Sequence, residues 1–251
     1  MSKDEKEMKL EKYSKNYVVR SYECDCNNNL RILTLMNILQ DIADENASLL
    51  GFGLDFCINS GLTWVGTNYV LDIDRLPKIH ENIKIETWPS ARNKFSAYRD
   101  FEVFGEDNKS IIKASSEWAL ISLERRRPVS VIDNMPIKEV VEARAVDVEF
   151  SKIAEVQEFD SQYKFRVRFD DIDINKHINN AVYILWASEA VDSKFRLEHS
   201  PSKISINFKK EGFIGEKVMV ITEQKDNNSL HSIRAYGENE RELARVSIDW
   251  K

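Results

Sequence analysis

A segment of the chain recurs at an offset of 148 residues, which restricts the fold to architectures built from two like halves. Val19 to Leu30 lies over Val167 to Ile178, with identities at Val19/Val167, Arg20/Arg168, Asp25/Asp173 and Asn27/Asn175. A helix signature follows each copy. In the first, Leu30, Leu33, Asn37, Ile38, Asp41 and Ile42 sample helical spacing, Leu35, Met36 and Leu39 widen the apolar stripe, and Gly51 and Gly53 supply a stop. In the second, Val182, Leu185, Trp186, Ala190 and Val191 repeat the pattern behind Asn179 or Asn180 as N-cap. Stripes this broad predict helices wrapped by a sheet rather than laid on a surface.

Alternating segments that read as strands come next in both halves. The first set runs over Leu62–Ile73, Asn82–Pro89, Phe95–Phe104 and Ser110–Leu123; the second over Lys203–Lys209, Glu216–Gln224, Leu230–Tyr236 and Leu243–Trp250. Turn residues at Glu106-Asp107-Asn108 and Asp226-Asn227-Asn228 separate them. The predicted class is α+β, each half a long helix held by a curved antiparallel sheet. The expected division is a first half over residues 1–124, a linker over 125–160 and a second half over 161–251. The linker is charged and without period, and a short helix is expected near Ile137–Ala143.

The chain of 251 residues has 42% apolar and 31% charged residues, an ordinary composition for a globular protein. A net charge of −6 gives no reason to expect nucleic acid or an anionic membrane as partner. Only Cys24, Cys26 and Cys57 are present, which argues for a reducing compartment. Four scattered histidines complete no metal-ligand spacing, so neither metal nor cofactor is expected. Met1 to Lys12 has no apolar core and lacks the look of a transit peptide, and no apolar run is long enough to span a bilayer. These features predict a cytoplasmic protein without stable membrane association.

Chemistry concentrates in Arg168-Phe169-Asp170-Asp171-Ile172-Asp173-Ile174-Asn175-Lys176-His177-Ile178-Asn179-Asn180. If this run is extended, Asp173, Asn175 and His177 share one face. An acid, an amide and an imidazole would then meet at the mouth of a helix, whose free N–H groups favour negative charge. That set suits hydrolysis of an acyl group; the alternative is a polar turn with asparagine caps before a helix. In the first copy Asn29 takes the place of His177, and aligning Ile79-His80-Glu81 with Ile214-Gly215-Glu216 places Leu76 opposite Glu211. One active and one degenerate half follow from that reading.

At Asp173-x-Asn175-x-His177-x-Asn179-Asn180-x-x-Tyr183, and again at Phe208-Lys209-Lys210-Glu211, the sequence resembles the acyl-(acyl carrier protein) thioesterases of plants and bacteria. The resemblance covers about Tyr13 to Trp250 and implies a tandem hotdog fold. It implies hydrolysis of a fatty acyl thioester on the phosphopantetheine of acyl carrier protein, releasing free fatty acid. Asp173, Asn175, His177 and Glu211 become the candidate catalytic residues. Glu211 with His177 is favoured to activate water over Asp173, which would orient His177 or Asn175 or act as the base itself. Asn175 would donate to the carbonyl or the water. The degenerate half would hold the acyl chain, with Phe56, Trp64, Tyr69 and the Leu33–Met36–Leu39 face as natural liners.

Many plant members carry a cysteine right after the glutamate; here that position is Gly212. An acidic carrier calls for a basic docking face, for which Lys164, Arg166 and Arg168, Arg125-Arg126-Arg127 and Lys209-Lys210 are candidates. The rival readings are an acyl-coenzyme A thioesterase, a hotdog dehydratase or hydratase, and a non-catalytic module that binds acyl carrier or lipid. A tandem hotdog contains the pair that single-hotdog proteins form by dimerising, so a monomer suffices and a homodimer is compatible.

Overall fold

A computed structural model describes residues 10–136, 139–147, 149–237 and 239–251. The first half opens with β1 (Tyr13–Val18), a 3-10 turn at Ser21–Glu23, α1 (Ile32–Leu49) and α2 (Leu54–Ser60). It continues through β2 (Leu62–Ile73), β3 (Asn82–Arg92), β4 (Ala97–Phe104), β5 (Ser110–Ser122) and the two-residue β6 (Arg127–Pro128). After α3 (Val131–Asn134), the second half repeats the plan. It has β7 (Ser161–Arg166), a 3-10 turn at Phe169–Asp171, α4 (Asn180–Glu189), α5 (Ser193–Glu198), β8 (Pro201–Phe208), β9 (Lys217–Lys225), β10 (Asn228–Ala235) and β11 (Arg241–Trp250).

The described strands form one antiparallel sheet in the order β1-β3-β4-β5-β2-β8-β11-β10-β9-β7, with β6 paired to β5. The halves join where β2 pairs with β8, from Asn68 opposite Asn207 to Asp72 opposite Lys203. Period-2 alternation sends Leu71, Phe101, Val103, Ile204, Ile206 and Val220 to one face, where α1 and α4 pack against the sheet and each other. The apolar stripe of α1 buries Leu35, Met36, Leu39 and Ile42, and its C-terminus is closed by Gly51 in the left-handed conformation (φ +79°). α4 is buried nearly all round, as a helix enclosed by sheet and partner helix must be. The two halves are a tandem hotdog.

Residues 139–147 and 149–160 cross the outer face of the sheet as an extended strap. The Arg144 guanidinium pairs with the fully buried Asp100 at 3.0 Å, and the Ala145 N–H donates to the same carboxylate oxygen at 2.6 Å. Further along, the Ile153 N–H donates to Asn207 and the Gln157 N–H to Glu223. The short helix expected at Ile137–Ala143 does not form over 139–143, and Ile137 and Lys138 lie outside the described residues; the helical turn falls earlier, at α3, capped by the Ser130 hydroxyl. Residues 1–9, the greater part of the charged terminus, also lie outside them. Among the described residues no helix is long and apolar enough to cross a membrane.

Candidate active site

The segment before α4 is a turn, not a strand, and this corrects the expectation that Asp173, Asn175 and His177 share one face. The Asp173 N–H donates to the His177 carbonyl at 2.8 Å, and the Asp173 carboxylate accepts the backbone N–H groups of Asn175 at 2.8 Å and His177 at 3.2 Å. Lys176 takes the left-handed conformation (φ +65°) that closes the loop. Asp173 thereby fixes the backbone from which His177 projects, as short acidic side chains do in turns. Asn175 is exposed on the turn.

The first half builds the same turn with Asn29 in place of the histidine. The Asp25 carboxylate accepts from Asn27 and Asn29, both at 2.9 Å, and Asn28 has φ +61°. The next loop repeats too: Leu30 donates to the Pro77 carbonyl as Ile178 does to that of Gly212, and His80 (φ +64°) matches Gly215 (φ +79°). These bonds superpose Asn29 on His177 and Leu76 on Glu211.

In the second half, His177 Nδ1 and Glu211 Oε1 lie 3.7 Å apart, each side chain about one-third exposed. That gap suits a bridging water better than a direct bond. The imidazole rests edge-on against Phe213 at 5.3 Å. The Arg241 guanidinium, at the start of β11, donates to the Glu211 carbonyl at 2.7 Å and to the Glu216 carboxylate at 3.0 Å. Glu211 Oε2 faces Arg126 of the first half at 3.7 Å.

The pair lies beside the start of α4. Asn179 is the N-cap: its side chain accepts from the Ala181 N–H at 2.9 Å, its carbonyl from Val182, and its amide donates to Asn37 of α1 at 3.3 Å. The Asn180 N–H, at the first helical position, has no partner within the helix. Tyr183, the last residue of the motif, is buried against Trp186 and Phe208, and burial pushes its phenol up. It anchors the helix rather than serving as an acid at neutral pH.

Lys209 is tied to Glu242 at 2.7 Å. Burial raises the Glu242 carboxyl, but bonds from Arg245, Lys209 and Ser232 outweigh it and hold the group down to about 2. Lys209 is thus engaged within the fold, and its neighbour Lys210 is exposed. Arg168 is likewise bound to Asp171 at 2.7 Å.

Gly212 explains the missing cysteine. A Cβ there would lie 2.3 Å from Ile178 Cδ1 and 3.3 Å from Leu243 Cδ1, so Ile178 occupies the space of any side chain at that position. The three thiols are free; Cys24 and Cys57 are buried, and all three belong to the first half. A cavity of about 560 Å³ opens beside Asn29 and Leu76, the counterparts of His177 and Glu211. It lacks the imidazole–carboxylate pair, which in the second half lies partly exposed.

Residues 10–138 match the Acyl-ACP thioesterase N-terminal domain, and residues 154–251 match the Acyl-ACP thioesterase C-terminal domain. The chain belongs to the acyl-ACP thioesterase family. It is 25% identical to the palmitoyl-acyl carrier protein thioesterase of Gossypium hirsutum, across 93% of this chain and 60% of that protein. Against oleoyl-acyl carrier protein thioesterase 2 of Arabidopsis thaliana the identity is 24%, over 95% of this chain and 76% of that one. The chain thus spans about 60% of the length of the Gossypium relative. Two solved structures share the fold across 96% of this chain at 22% identity. They are an acyl-ACP thioesterase from Bacteroides thetaiotaomicron (TM-score 0.85, 98% of that chain) and the 12:0-ACP thioesterase of Umbellularia californica (TM-score 0.83, 97%).

Arg126, Arg241 and Phe213 contact the candidate pair or its loop, and no spacing in the sequence marks them. They reach the pair from a distant turn, from the start of β11 and from the loop before β9. Only the strand register brings them there.

Proposed function

We propose that this protein hydrolyses the thioester of fatty acyl-acyl carrier protein, releasing free fatty acid and the thiol of the carrier's phosphopantetheine. The observation that carries this reading is the His177–Glu211 pair beside the start of α4, present in one half and replaced by Asn29 and Leu76 in the other, in a chain of the acyl-ACP thioesterase family. A water held between the imidazole and the carboxylate gives a proton to Glu211 as its oxygen adds to the carbonyl carbon. The developing oxyanion is met by the free N–H at the start of α4. Collapse breaks the C–S bond, and the departing thiolate takes up the proton. Because a thiolate leaves readily, the base and the oxyanion donor supply most of what the reaction needs.

His177 holds the water, and Asp173 acts through the turn as a positioning residue. Asn175, at the exposed tip of the same turn, is placed to meet the incoming thioester or its carrier. The first half holds the acyl chain beneath α1. The three free thiols suit a reducing setting, the cytoplasm. Thiol release from octanoyl- and palmitoyl-acyl carrier protein, set beside the matching coenzyme A esters, tests the assignment. Faster turnover of the carrier-bound esters supports it, and equal or faster turnover of the coenzyme A esters overturns the carrier as substrate.

A further inference from the structure

Glu211 is reached from both halves. Its Oε1 lies 3.7 Å from His177 Nδ1, and its Oε2 lies 3.7 Å from Arg126 Nη2, on the turn between β5 and β6. That turn is tightly made. The Arg126 N–H donates to the Ser122 carbonyl at 2.8 Å and the Arg125 N–H to the Ser122 hydroxyl at 3.2 Å, while Arg126 itself has φ +48°. A long β-carbon-bearing side chain is uncommon in the left-handed region, and such conformations cluster where geometry serves function. The Glu211 backbone is fixed by Arg241. Its side chain is 38% exposed, so packing alone does not select one rotamer.

We infer that Arg126 is a positioning residue: the first half, which lost its own catalytic pair, lends a guanidinium that holds Glu211 Oε2 and turns Oε1 toward His177 and the water. The inference rests on the reading of Glu211 as the base. Arg126 is 80% exposed, so the pair adds little to folding, and its effect falls on orientation. The second half is then incomplete without the turn that follows β5.

The test is steady-state kinetics on octanoyl-acyl carrier protein for the wild type, Arg126→Asn, Arg126→Lys, Glu211→Gln and the double variant Arg126→Asn/Glu211→Gln. Asparagine tolerates φ above zero, so the turn survives the substitution. Arg126→Asn is expected to lower kcat about tenfold with KM within about twofold, the pattern of a misaligned catalytic group. Arg126→Lys recovers part of the loss. The double variant is no slower than Glu211→Gln alone, because Arg126 acts only through that carboxylate. A rise in KM with unchanged kcat, or losses that multiply in the double variant, overturns the inference in favour of carrier docking. If Glu211→Gln keeps the wild-type kcat, the reading of Glu211 itself fails. If Glu211→Gln is inactive and Arg126→Asn matches the wild type, the positioning role alone fails.

Discussion

Installing the missing thiol, Gly212→Cys, sets packing against chemistry. The new Cβ would lie 2.3 Å from Ile178 Cδ1 and 3.2 Å from Cγ1, where carbon atoms settle at about 3.5–4.0 Å. The two backbones cannot simply part, because the Ile178 N–H donates to the Gly212 carbonyl at 3.0 Å. Ile178 is 3% exposed and packed in the main core, so its methyl must be driven into occupied space. Overpacking of this kind costs about 1–3 kcal/mol. Ile178→Val removes the Cδ1 methyl at a cost of its own of about 0.5–1.5 kcal/mol. In the valine background Gly212→Cys should therefore be milder, with a favourable coupling of about 1–2 kcal/mol between the two sites. Urea unfolding of the wild type, both single variants and the double variant measures that coupling. Equal destabilisation by Gly212→Cys in both backgrounds would refute the steric account.

Two further outcomes follow from buried polar groups. His231 is fully buried, with its ring nitrogens on the Thr222 and Ser229 hydroxyls, and burial pushes its imidazole down from 6.5 to about 3. The folded state keeps the ring neutral while the unfolded chain takes up a proton below about pH 6.5, so stability falls as pH drops from there toward 3. The loss reaches about 3 kcal/mol by pH 4.5. The stability margin of the wild type over His231→Gln should shrink by that amount between pH 7.5 and 4.5 in denaturant titrations, and parallel curves would contradict it. Asp100→Asn leaves Arg144 without its buried partner and weakens the Ala145 contact. It should destabilise by about 3 kcal/mol and open the strap to proteolysis, and a strap as resistant as in the wild type would count against its tie to the sheet.

The strands β2 to β5 and β8 to β11 and the helices α1 and α4 were legible because alternation and helical spacing are local, and β2 forms over the expected Leu62–Ile73. The internal repeat was legible in four identities, and its physical basis is a turn whose aspartate caps its own backbone in each copy. The conformation of that turn was not. Period-2 reasoning made Asp173, Asn175 and His177 co-facial, whereas a chain rich in aspartate and asparagine curls onto its own N–H groups, as the alternative reading had it. The seam between β2 and β8 leaves no mark on a sequence, since any two half-buried strands alternate alike. The strap carries no period because it is neither helix nor strand; its order comes from Asp100, Asn207 and Glu223, far away in the chain. Arg126 was legible only as charge, and its reach to Glu211 depends on the join between the halves.

One imidazole–carboxylate pair, His177 with Glu211, is proposed to drive acyl-acyl carrier protein hydrolysis. Thiol release from octanoyl- and palmitoyl-acyl carrier protein by the wild type, His177→Ala and Glu211→Gln tests it most directly. Turnover by the wild type is expected, with a fall of about 10²–10⁴-fold in kcat in each variant and the fold intact by circular dichroism. Release that is indifferent to both substitutions, or carrier binding without release by the wild type, would contradict it.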